Sequence, residues 1–392
     1  MWRAAEARRL LGWAAGSAHP AGGFGWRTRD GGLDPSRGRP LWIACRMVHC
    51  LALGAMLGRE DDREAARAGT AALLDIYRDQ EHGGWVGDLD SPGGRKEAYG
   101  HAFVVLAAST ASVAGVPRAH VLLEAALGTV LDRFWDEDAQ MPYESYAAGF
   151  TDREDYRGGN AAMHLVEAFL AAADATGDTA WRDRATAVCT RMLEAARAAS
   201  WRVPEHFDAR WRVLPDYNRD VPRHPFRPFG VTPGHAFEWS RLVLTLGACH
   251  DVPAWFGPAA RELAAVAWRD AWDEAQGGLV YTTDLDGTPV VRERFHWVVC
   301  EAMGAAWALH RSTADATWAG RYEQLAEFVH RHLLDPARPG AWWHELDAGN
   351  HPSERTWAGA PDVYHALQAV LLPGLPLAPG LARAVGTPAS SG

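Results

Sequence analysis

Cysteine is scarce in this sequence, and the few cysteines present lack the spacing of a redox or metal motif. The 392 residues include five cysteines, an odd number without a CxxC pair. Four of the five lie in apolar helical patterns, which is typical of reduced, buried thiols and not of a disulfide framework. We therefore expect a cytoplasmic protein.

Long apolar runs and basic stripes are also missing. No stretch approaches the ~20 uncharged apolar residues that cross a bilayer, and the first residues mix charged and apolar side chains, unlike a signal peptide. The formal net charge is −10 and the charges are scattered along the chain. We therefore expect neither a membrane nor nucleic acid as a partner, and no strongly polyanionic substrate.

The sequence also lacks an internal linker. No Ser/Gly/Pro segment or charge block divides the chain, so we predict one catalytic domain over residues 1–373. Residues 374–392 are rich in Pro, Gly, Ala and Ser and are predicted to form a flexible C-terminal tail. We expect a monomer or a homodimer.

The chain does contain a sixfold repeat with a period near sixty residues. Loop segments rich in glycine or aromatic residues recur at 22–26, 83–85, 141–143, 204–207, 277–281 and 341–344. Each precedes an apolar helical stretch, and these six are predicted over 41–57, 98–114, 160–175, 233–247, 296–310 and 362–372. Amphipathic segments separate them, over 63–79, 119–135, 180–200, 258–272 and 317–333. This pattern predicts an all-α double ring with six inner and six outer helices.

Strand content is predicted to be minor. Residues 278–283 and 288–291 alternate in polarity around an Asp-Leu-Asp-Gly turn, which predicts a β-hairpin. Short hairpins of this kind belong in the loops between the helices.

Each apolar helix carries one isolated polar residue, and in a closed ring these would converge on a central mouth. The six are Arg46, His101, His164, His235, Glu301 and His365. A single histidine of this kind is ordinarily a hydrogen-bonded core residue, but four at equivalent repeat positions favour a functional site. An imidazole with a pKa near ~6.5 can both take and return a proton around neutral pH.

Carboxylates lie one helical turn from two of these histidines. Glu238 follows His235 by three residues, so it is predicted to hold that ring's tautomer or to share its proton. The same HxxE spacing, also seen at His164 and Glu167, occurs at metal sites in helical bundles. A lone HxxE is a weak signal, and these candidates are mixed with aromatic residues and arginine. We therefore predict no metal and no cofactor.

Tryptophan is abundant, with 19 residues, many of them in the repeat loops. Flat apolar rings stack on the C–H faces of sugars and exclude water, although most tryptophans belong to hydrophobic cores. Arg46 and Arg227 lie in apolar or aromatic settings and would hold hydroxyls or stabilise an oxyanion, unless structural ion pairs occupy them. Together these residues predict a carbohydrate pocket.

Several strings of the sequence resemble those of the N-acylglucosamine 2-epimerase family. They are GGFGW, LWIACRMVH, RKEAYGHAFV, YRGGNAAMHLVEAFL, LPDYN, HPFRPFGVTPGHAFEWSRL, FHWVVCEA and PDVYHALQ. The likeness runs in unbroken order from about Gly22 to Leu372, and TPGHAFEW with PDVYHALQ is its most specific part. The resemblance implies an (α/α)6 barrel and metal-free proton transfer through an enediolate.

The resemblance also implies roles for individual residues. His235 and His365 match the family's acid/base pair, and we assign His235, backed by Glu238, to ring opening and His365 to abstraction at C2. The motif contexts match further pocket residues, namely Arg46, Tyr99, Asn160, His164, Arg227, Glu238, Trp297 and Glu301. Arg46 is expected to stabilise the enediolate oxygens.

Within this family we expect an aldose–ketose isomerase that interconverts D-mannose and D-fructose, and also D-lyxose and D-xylulose. The motif set is more similar to the mannose and sulfoquinovose isomerase branch than to the acylglucosamine branch, and the few lysines offer no extra clamp for a sulfonate. A sugar 2-epimerase and a sulfoquinovose isomerase remain alternatives. From other classes, a glycoside hydrolase would use Glu238 and Glu301 as opposed carboxylates, and a sugar-binding protein would show no C2 exchange.

Overall fold

The computed structural model describes residues 2–387, and its helices form two concentric rings. The inner ring consists of α2 (Leu41–Met56), α4 (Ala98–Val113), α6 (Gly159–Thr176), α8 (Pro233–Cys249), α10 (His296–Thr313) and α12 (Tyr364–Leu371). The outer ring consists of α1 (Trp2–Ala15), α3 (Glu60–Asp75), α5 (Ala119–Thr129), α7 (Ala180–Ala198), α9 (Phe256–Ala271) and α11 (Ala316–Phe328). The predicted (α/α)6 barrel is confirmed.

The inner helices are apolar on nearly all sides because each packs against two inner neighbours and one outer helix. Consecutive inner helices contact one another around the ring, and α12 contacts α2 to close it. The outer helices bury one face only; in α9, for example, Ala260, Leu263, Ala264 and Ala267 are buried. This difference in burial explains the apolar and amphipathic sequence patterns.

The ring is completed by the first helix of the chain. The sequence pattern marks five outer segments, and the structure shows that α1 is the sixth, packed against α12. Its residues Leu10, Leu11 and Ala14 are buried. The indole Nε1 of Trp342 donates to Glu6 Oε1 at 2.9 Å, which ties α1 to the loop of the sixth repeat.

The strands form five two-stranded antiparallel pairs in the loops. They are β1 (Lys96–Glu97) with β4 (Ser145–Tyr146), β2 (Trp135–Asp136) with β3 (Met141–Pro142), β5 (Arg157–Gly158) with β6 (His206–Phe207), β7 (Thr282–Thr283) with β8 (Pro289–Val291), and β9 (Arg294–Phe295) with β10 (Glu345–Leu346). The β7–β8 pair confirms the predicted hairpin, with Thr282 opposite Val291. Because β1, β5 and β9 lead directly into α4, α6 and α10, these pairs fix where the inner helices begin.

Three outer helices end at least four residues earlier than the sequence pattern predicts, namely α3, α5 and α11. After α5 and α11 the chain forms a wider helical turn, over Val130–Phe134 and Val329–Leu333, before entering the next loop. Both wide turns place apolar side chains, Phe134 and Leu333 among them, in the buried interior.

The segment expected to be a flexible tail adopts a defined structure in its described part. Residues 372–374 form a 3-10 turn and Leu381–Gly386 form a short helix, α13, which packs on α2, α4 and α6. It covers the end of the barrel opposite the loop-lined mouth described below, because apolar residues such as Leu377 and Leu381 pack there. Residues 388–392 lie outside the described part of the chain.

The burial of the cysteines agrees with the sequence analysis. Cys45, Cys50, Cys189 and Cys300 are buried, Cys249 is half-buried, and all five are free thiols. Across residues 2–387, no helix combines the length and apolar character needed to cross a bilayer.

Candidate active site

A cavity of about 700 Å³ opens where the loops meet the amino-terminal halves of the inner helices. Eight of the predicted site residues line it, and every inner helix contributes at least one. They are Arg46, Tyr99, Asn160, His164, His235, Glu238, Trp297 and His365. The sixfold repeat therefore does bring residues far apart in sequence to one place.

Among the histidines that line this cavity, two are each held by a buried carboxylate at 2.8 Å. His235 Nδ1 lies 2.8 Å from Glu205 Oε1, and His365 Nδ1 lies 2.8 Å from Glu301 Oε1. When Nδ1 donates to the carboxylate, Nε2 of each ring is free to act on a ligand. We call these pairs the α8 dyad (His235–Glu205) and the α12 dyad (His365–Glu301).

The indole of Trp297 lies between the two imidazoles. Its ring centroid is 5.1 Å from that of His235 and 5.8 Å from that of His365, so the two imidazoles lie within about 11 Å of each other. A substituent at Gly234 would place its Cβ 2.5 Å from the indole, so glycine is needed for this close approach. Both dyads can therefore reach a single monosaccharide.

Glu238 does not support His235 as the sequence analysis predicted. Its Oε1 lies 3.5 Å from Arg241 Nη2 and 3.9 Å from His164 Nδ1, while Glu205, from the loop before α8, takes the Nδ1 position of His235. Burial and the nearby charge of Glu301 raise the pKa of Glu238 well above its usual range. This shift favours the neutral, protonated form of Glu238 at the cavity wall.

Arg46 supplies positive charge at the cavity wall. Its Nη1 donates to Asp362 Oδ2 at 3.0 Å and its Nη2 donates to Tyr99 Oη at 3.1 Å. Burial opposes the charged guanidinium, but Tyr99 and Asp362 outweigh it and raise the Arg46 pKa. Asp362 is therefore the counter-ion of Arg46.

His164 and Asn160 form the wall contributed by α6. His164 Nδ1 lies 3.4 Å from Glu167 Oε2, and burial lowers the pKa of the imidazole. The Asn160 Oδ1 atom is buried and has no hydrogen-bond partner within residues 2–387. These groups offer a donor and an acceptor to ligand hydroxyls.

Three residues from the predicted set do not line the cavity. Arg227 is held by Glu154, with Nη1–Oε1 at 2.7 Å and Nη2–Oε2 at 3.0 Å, and anchors the loop that carries Phe226. Glu301 lies behind His365. His101 is a structural residue, because its Nδ1 lies 2.7 Å from the Glu97 carbonyl oxygen and its Nε2 accepts from the Trp85 amide.

The structure adds cavity residues that sequence reasoning missed. His296 and His344 stack with ring centroids 3.9 Å apart, and Phe226, Tyr281 and Trp357 complete the aromatic wall. Burial lowers the pKa of His296 to about 4 and that of His344 well below its usual range, so this pair is neutral. The fourth repeat loop, 204–207, was the one sequence signal that contained the missed Glu205.

Two groups of donor atoms are close enough to suit a metal ion. They are His164 with Glu167 and Glu238, and Glu238 with Glu301 and His365, each set within 4.8 Å. Most of their donors are already engaged, since Glu301 Oε2 accepts from Arg241 at 3.0 Å and Glu167 accepts from Tyr364 and Gln368. Glu238 Oε2, from the residue common to both sets, has no hydrogen-bond partner within residues 2–387. A guanidinium among these carboxylates repels a further cation, so the donor set suits proton transfer better than metal binding.

Comparison with known proteins places this site in a family. Residues 22–369 match the family model described as N-acylglucosamine 2-epimerase (GlcNAc 2-epimerase). The D-mannose isomerase of Thermobifida fusca is 46% identical over 98% of this chain and 97% of its own length. The D-mannose isomerase of Pseudomonas cannabina pv. alisalensis is 44% identical over 98% and 94%.

A solved structure agrees with these matches. The crystal structure of a D-mannose isomerase superimposes with a TM-score of 0.87 at 30% identity, covering 94% of this chain and 96% of its own. The chain is therefore an isomerase and belongs to the N-acylglucosamine 2-epimerase family.

Proposed function

We propose that the protein is an aldose–ketose isomerase that interconverts D-mannose and D-fructose, with D-lyxose and D-xylulose as a second pair. Two relatives named D-mannose isomerase, similar over nearly the whole chain, support this substrate. The observation that carries the reaction type is the pair of carboxylate-held imidazoles, His235 and His365, facing one cavity of monosaccharide size.

The reaction begins with ring opening, because the C2 proton is acidic only in the free aldehyde. In the proposal His235 relays the proton from the anomeric hydroxyl to the ring oxygen. His365 Nε2 then removes the C2 proton, the C–H electron pair forms the C1–C2 double bond, and the aldehyde π electrons move to O1. The resulting cis-enediolate carries negative charge on its oxygens.

Residues of the cavity wall would stabilise the negative charge of the enediolate. Arg46 is the arginine that lines the cavity, and the hydroxyl groups of Tyr99 and of neutral Glu238 provide hydrogen-bond donors. A proton moves from the C2 hydroxyl to O1, and the protonated His365 returns its proton to C1, which gives the ketose. One imidazole can thus serve both carbon atoms of the isomerisation.

The alternatives predict different use of the same residues. A 2-epimerase would reprotonate C2 from the opposite face, which requires a second base there. A sulfonated sugar needs an uncommitted cation, but Arg46 pairs with Asp362 and Arg227 pairs with Glu154. A glycoside hydrolase needs two carboxylates on either side of the glycosidic bond, whereas Glu301 lies behind His365.

The test is an incubation in deuterium oxide with a chelator present, with products identified by NMR. We expect fructose from mannose and xylulose from lyxose, with deuterium at C1 in those turnovers in which protonated His365 exchanges with solvent before it returns the proton. Glucose appearing before fructose would show an epimerase, turnover of sulfoquinovose alone would show the sulfonate enzyme, and monosaccharide release from cellobiose would show a hydrolase. Saturable binding with neither product formation nor C2 exchange would contradict every enzymatic reading.

A further inference from the structure

At the base of the cavity, three buried carboxyl groups lie around one cation. Only one of these carboxyl groups, that of Glu238, lines the cavity, and the cation does not line it. Glu167, Glu238 and Glu301 come from three neighbouring inner helices and are 8%, 0% and 2% exposed. Arg241, on α8, is 6% exposed and points between Glu238 and Glu301. No sequence motif had marked Arg241 as functional.

The contacts of Arg241 are unequal. Its Nε and Nη2 donate to Glu301 Oε2 at 3.2 and 3.0 Å, whereas Nη2 lies 3.5 Å from Glu238 Oε1. Burial without a close cation favours the protonated form of a carboxyl group. Burial raises the pKa of Glu301, and the single guanidinium opposes that rise. Because its contacts to Glu301 are shorter, it stabilises ionised Glu301 more than ionised Glu238.

The surroundings provide no second cation for Glu301. The titratable groups facing this layer are His164 and Glu167 from α6, Glu238 from α8, and Tyr364 and His365 from α12. Arg46 is neutralised by Asp362 at 3.0 Å. Removal of the Arg241 charge would leave Glu301 among other carboxyl groups, and its proton affinity would rise.

The protonation of Glu301 decides which nitrogen of His365 carries the proton. Ionised Glu301 accepts from Nδ1–H, which leaves Nε2 unprotonated toward the cavity. A protonated Glu301 can instead donate to Nδ1, and the neutral ring then carries its proton on Nε2 and cannot act as a base. The two oxygens of Glu301 have different partners: Oε2 accepts a hydrogen bond from Arg241, and Oε1 contacts Nδ1 of His365.

We propose that Arg241 is a positioning residue that keeps Glu301 ionised and so fixes the basic tautomer of His365. The proposal rests on the base role of His365 in the proposed function. A second cavity, lined in part by Arg241 and Glu167, lies beneath this layer. The Met, Lys and Gln side chains tested below are no larger than that of Arg241, so none introduces a steric clash.

The first test compares Arg241→Met with Arg241→Lys, which differ mainly in charge. For Arg241→Met we expect kcat for the aldose at neutral pH to fall at least roughly tenfold, with KM little changed. The acid limb of the pH profile, where kcat falls as the pH is lowered, should move to higher pH. Arg241→Lys should keep the limb near its wild-type position. A merely structural role would lower kcat at all pH values without moving the limb, and that result would overturn the proposal.

The second test needs no sugar, so it separates this proposal from the proposed function. Histidine-selective ¹⁵N NMR reports the tautomer of each ring, and His365→Gln identifies the His365 signals. We expect protonated Nδ1 in the wild-type protein and protonated Nε2 in Arg241→Met. An unchanged tautomer would refute the role of Arg241, whereas the expected tautomers in a protein that isomerises no aldose would refute only the proposed function.

If Arg241→Met does not fold, a cycle with Glu301→Gln decides the question through Arg241→Gln, which also removes the charge. The glutamine change at position 241 should lower kcat in the wild-type background and have almost no effect once Glu301 is already an amide. Equal effects in both backgrounds would show that Arg241 does not act through Glu301.

Discussion

The α8 and α12 dyads share one geometry but have different surroundings. In both, a glutamate oxygen lies 2.8 Å from Nδ1 of the histidine. Glu205 lies in a loop and also accepts from the Thr232 amide, whereas Glu301 lies inside the barrel against Arg241. Burial and the charge of Arg46 lower the pKa of His365 well below its usual range.

This difference teaches that a histidine–carboxylate contact does not by itself define a role. In the α12 dyad the imidazole is kept neutral, which suits a base that removes a carbon-bound proton. In the α8 dyad the carboxylate is Glu205, which lies in a loop and accepts a hydrogen bond from the Thr232 amide. Within residues 2–387 no arginine forms an ion pair with Glu205. This setting suits the exchange of oxygen-bound protons during ring opening. Five predictions test this division and the metal-free chemistry on which it rests.

The largest effect is expected from removal of either imidazole. His365→Ala and His235→Ala should each lower kcat for mannose by roughly a hundredfold to ten-thousandfold, because each loses an acid/base group. Coupled assays of fructose formation measure this, and circular dichroism should show an intact fold.

A short aldose that cannot form a pyranose ring sharpens the same comparison. With glyceraldehyde as substrate, His235→Ala should retain most of the wild-type rate while His365→Ala stays inactive. Equal losses on both substrates would mean that His235 also acts at carbon.

An intermediate effect is expected from the matched changes Glu205→Gln and Glu301→Gln. Each removes a charge-assisted hydrogen bond of about 1.5–3 kcal/mol, which corresponds to a roughly tenfold to hundredfold loss of kcat. The Glu301 change should also alter the acid limb of the pH profile, because Glu301 is coupled to Arg241. If Glu205→Gln moved that limb equally, the two dyads would not differ as proposed.

A smaller effect is expected from pH. Since neutral His365 is the base and its pKa is lowered from 6.5, kcat/KM should hold near neutrality and fall only as the pH drops below that value. The acid limb of this pH profile reports the joint titration of His365 and Glu301, and not the pKa of either residue alone. A profile from about pH 5 to about pH 8 tests this, and a midpoint above 6.5 would contradict it.

No effect is expected from removal of metal ions. Prolonged EDTA treatment should leave kcat unchanged, because the carboxylates of both candidate donor sets already accept hydrogen bonds from Arg241, Tyr364 and Gln368. Loss of activity that a divalent cation restores would place a metal at His164 or His365 and remove the basis for both dyads.

The sequence predicts the barrel well because repeat spacing and apolar patterning are local properties. It predicts Arg46, His164, His235 and His365 at the cavity because each occupies the inward face of an inner helix. His101 follows the same pattern, yet its ring packs on Phe134 with centroids 4.5 Å apart, within the wall.

Partners of these residues were harder to predict. Spacing along α8 pointed to Glu238 as the support of His235, but the Glu205 contact joins residues 30 apart and depends on a loop path. Arg241 matters only because α8 and α10 face each other, so its contact with Glu301, 60 residues away, has no local signature. Side-chain pairing across repeats is set by tertiary packing, which a repeat pattern does not encode.

The position of α1 in the outer ring has a consequence for biosynthesis. Its partner, α12, begins more than 340 residues later, at Tyr364. During translation α1 can pack only against α2 and α3, and its contacts with α12 cannot form until almost the entire polypeptide has left the ribosome. Ring closure joins the most distant parts of the sequence, which makes it a late step of folding and leaves the nascent chain most dependent on chaperones until that moment.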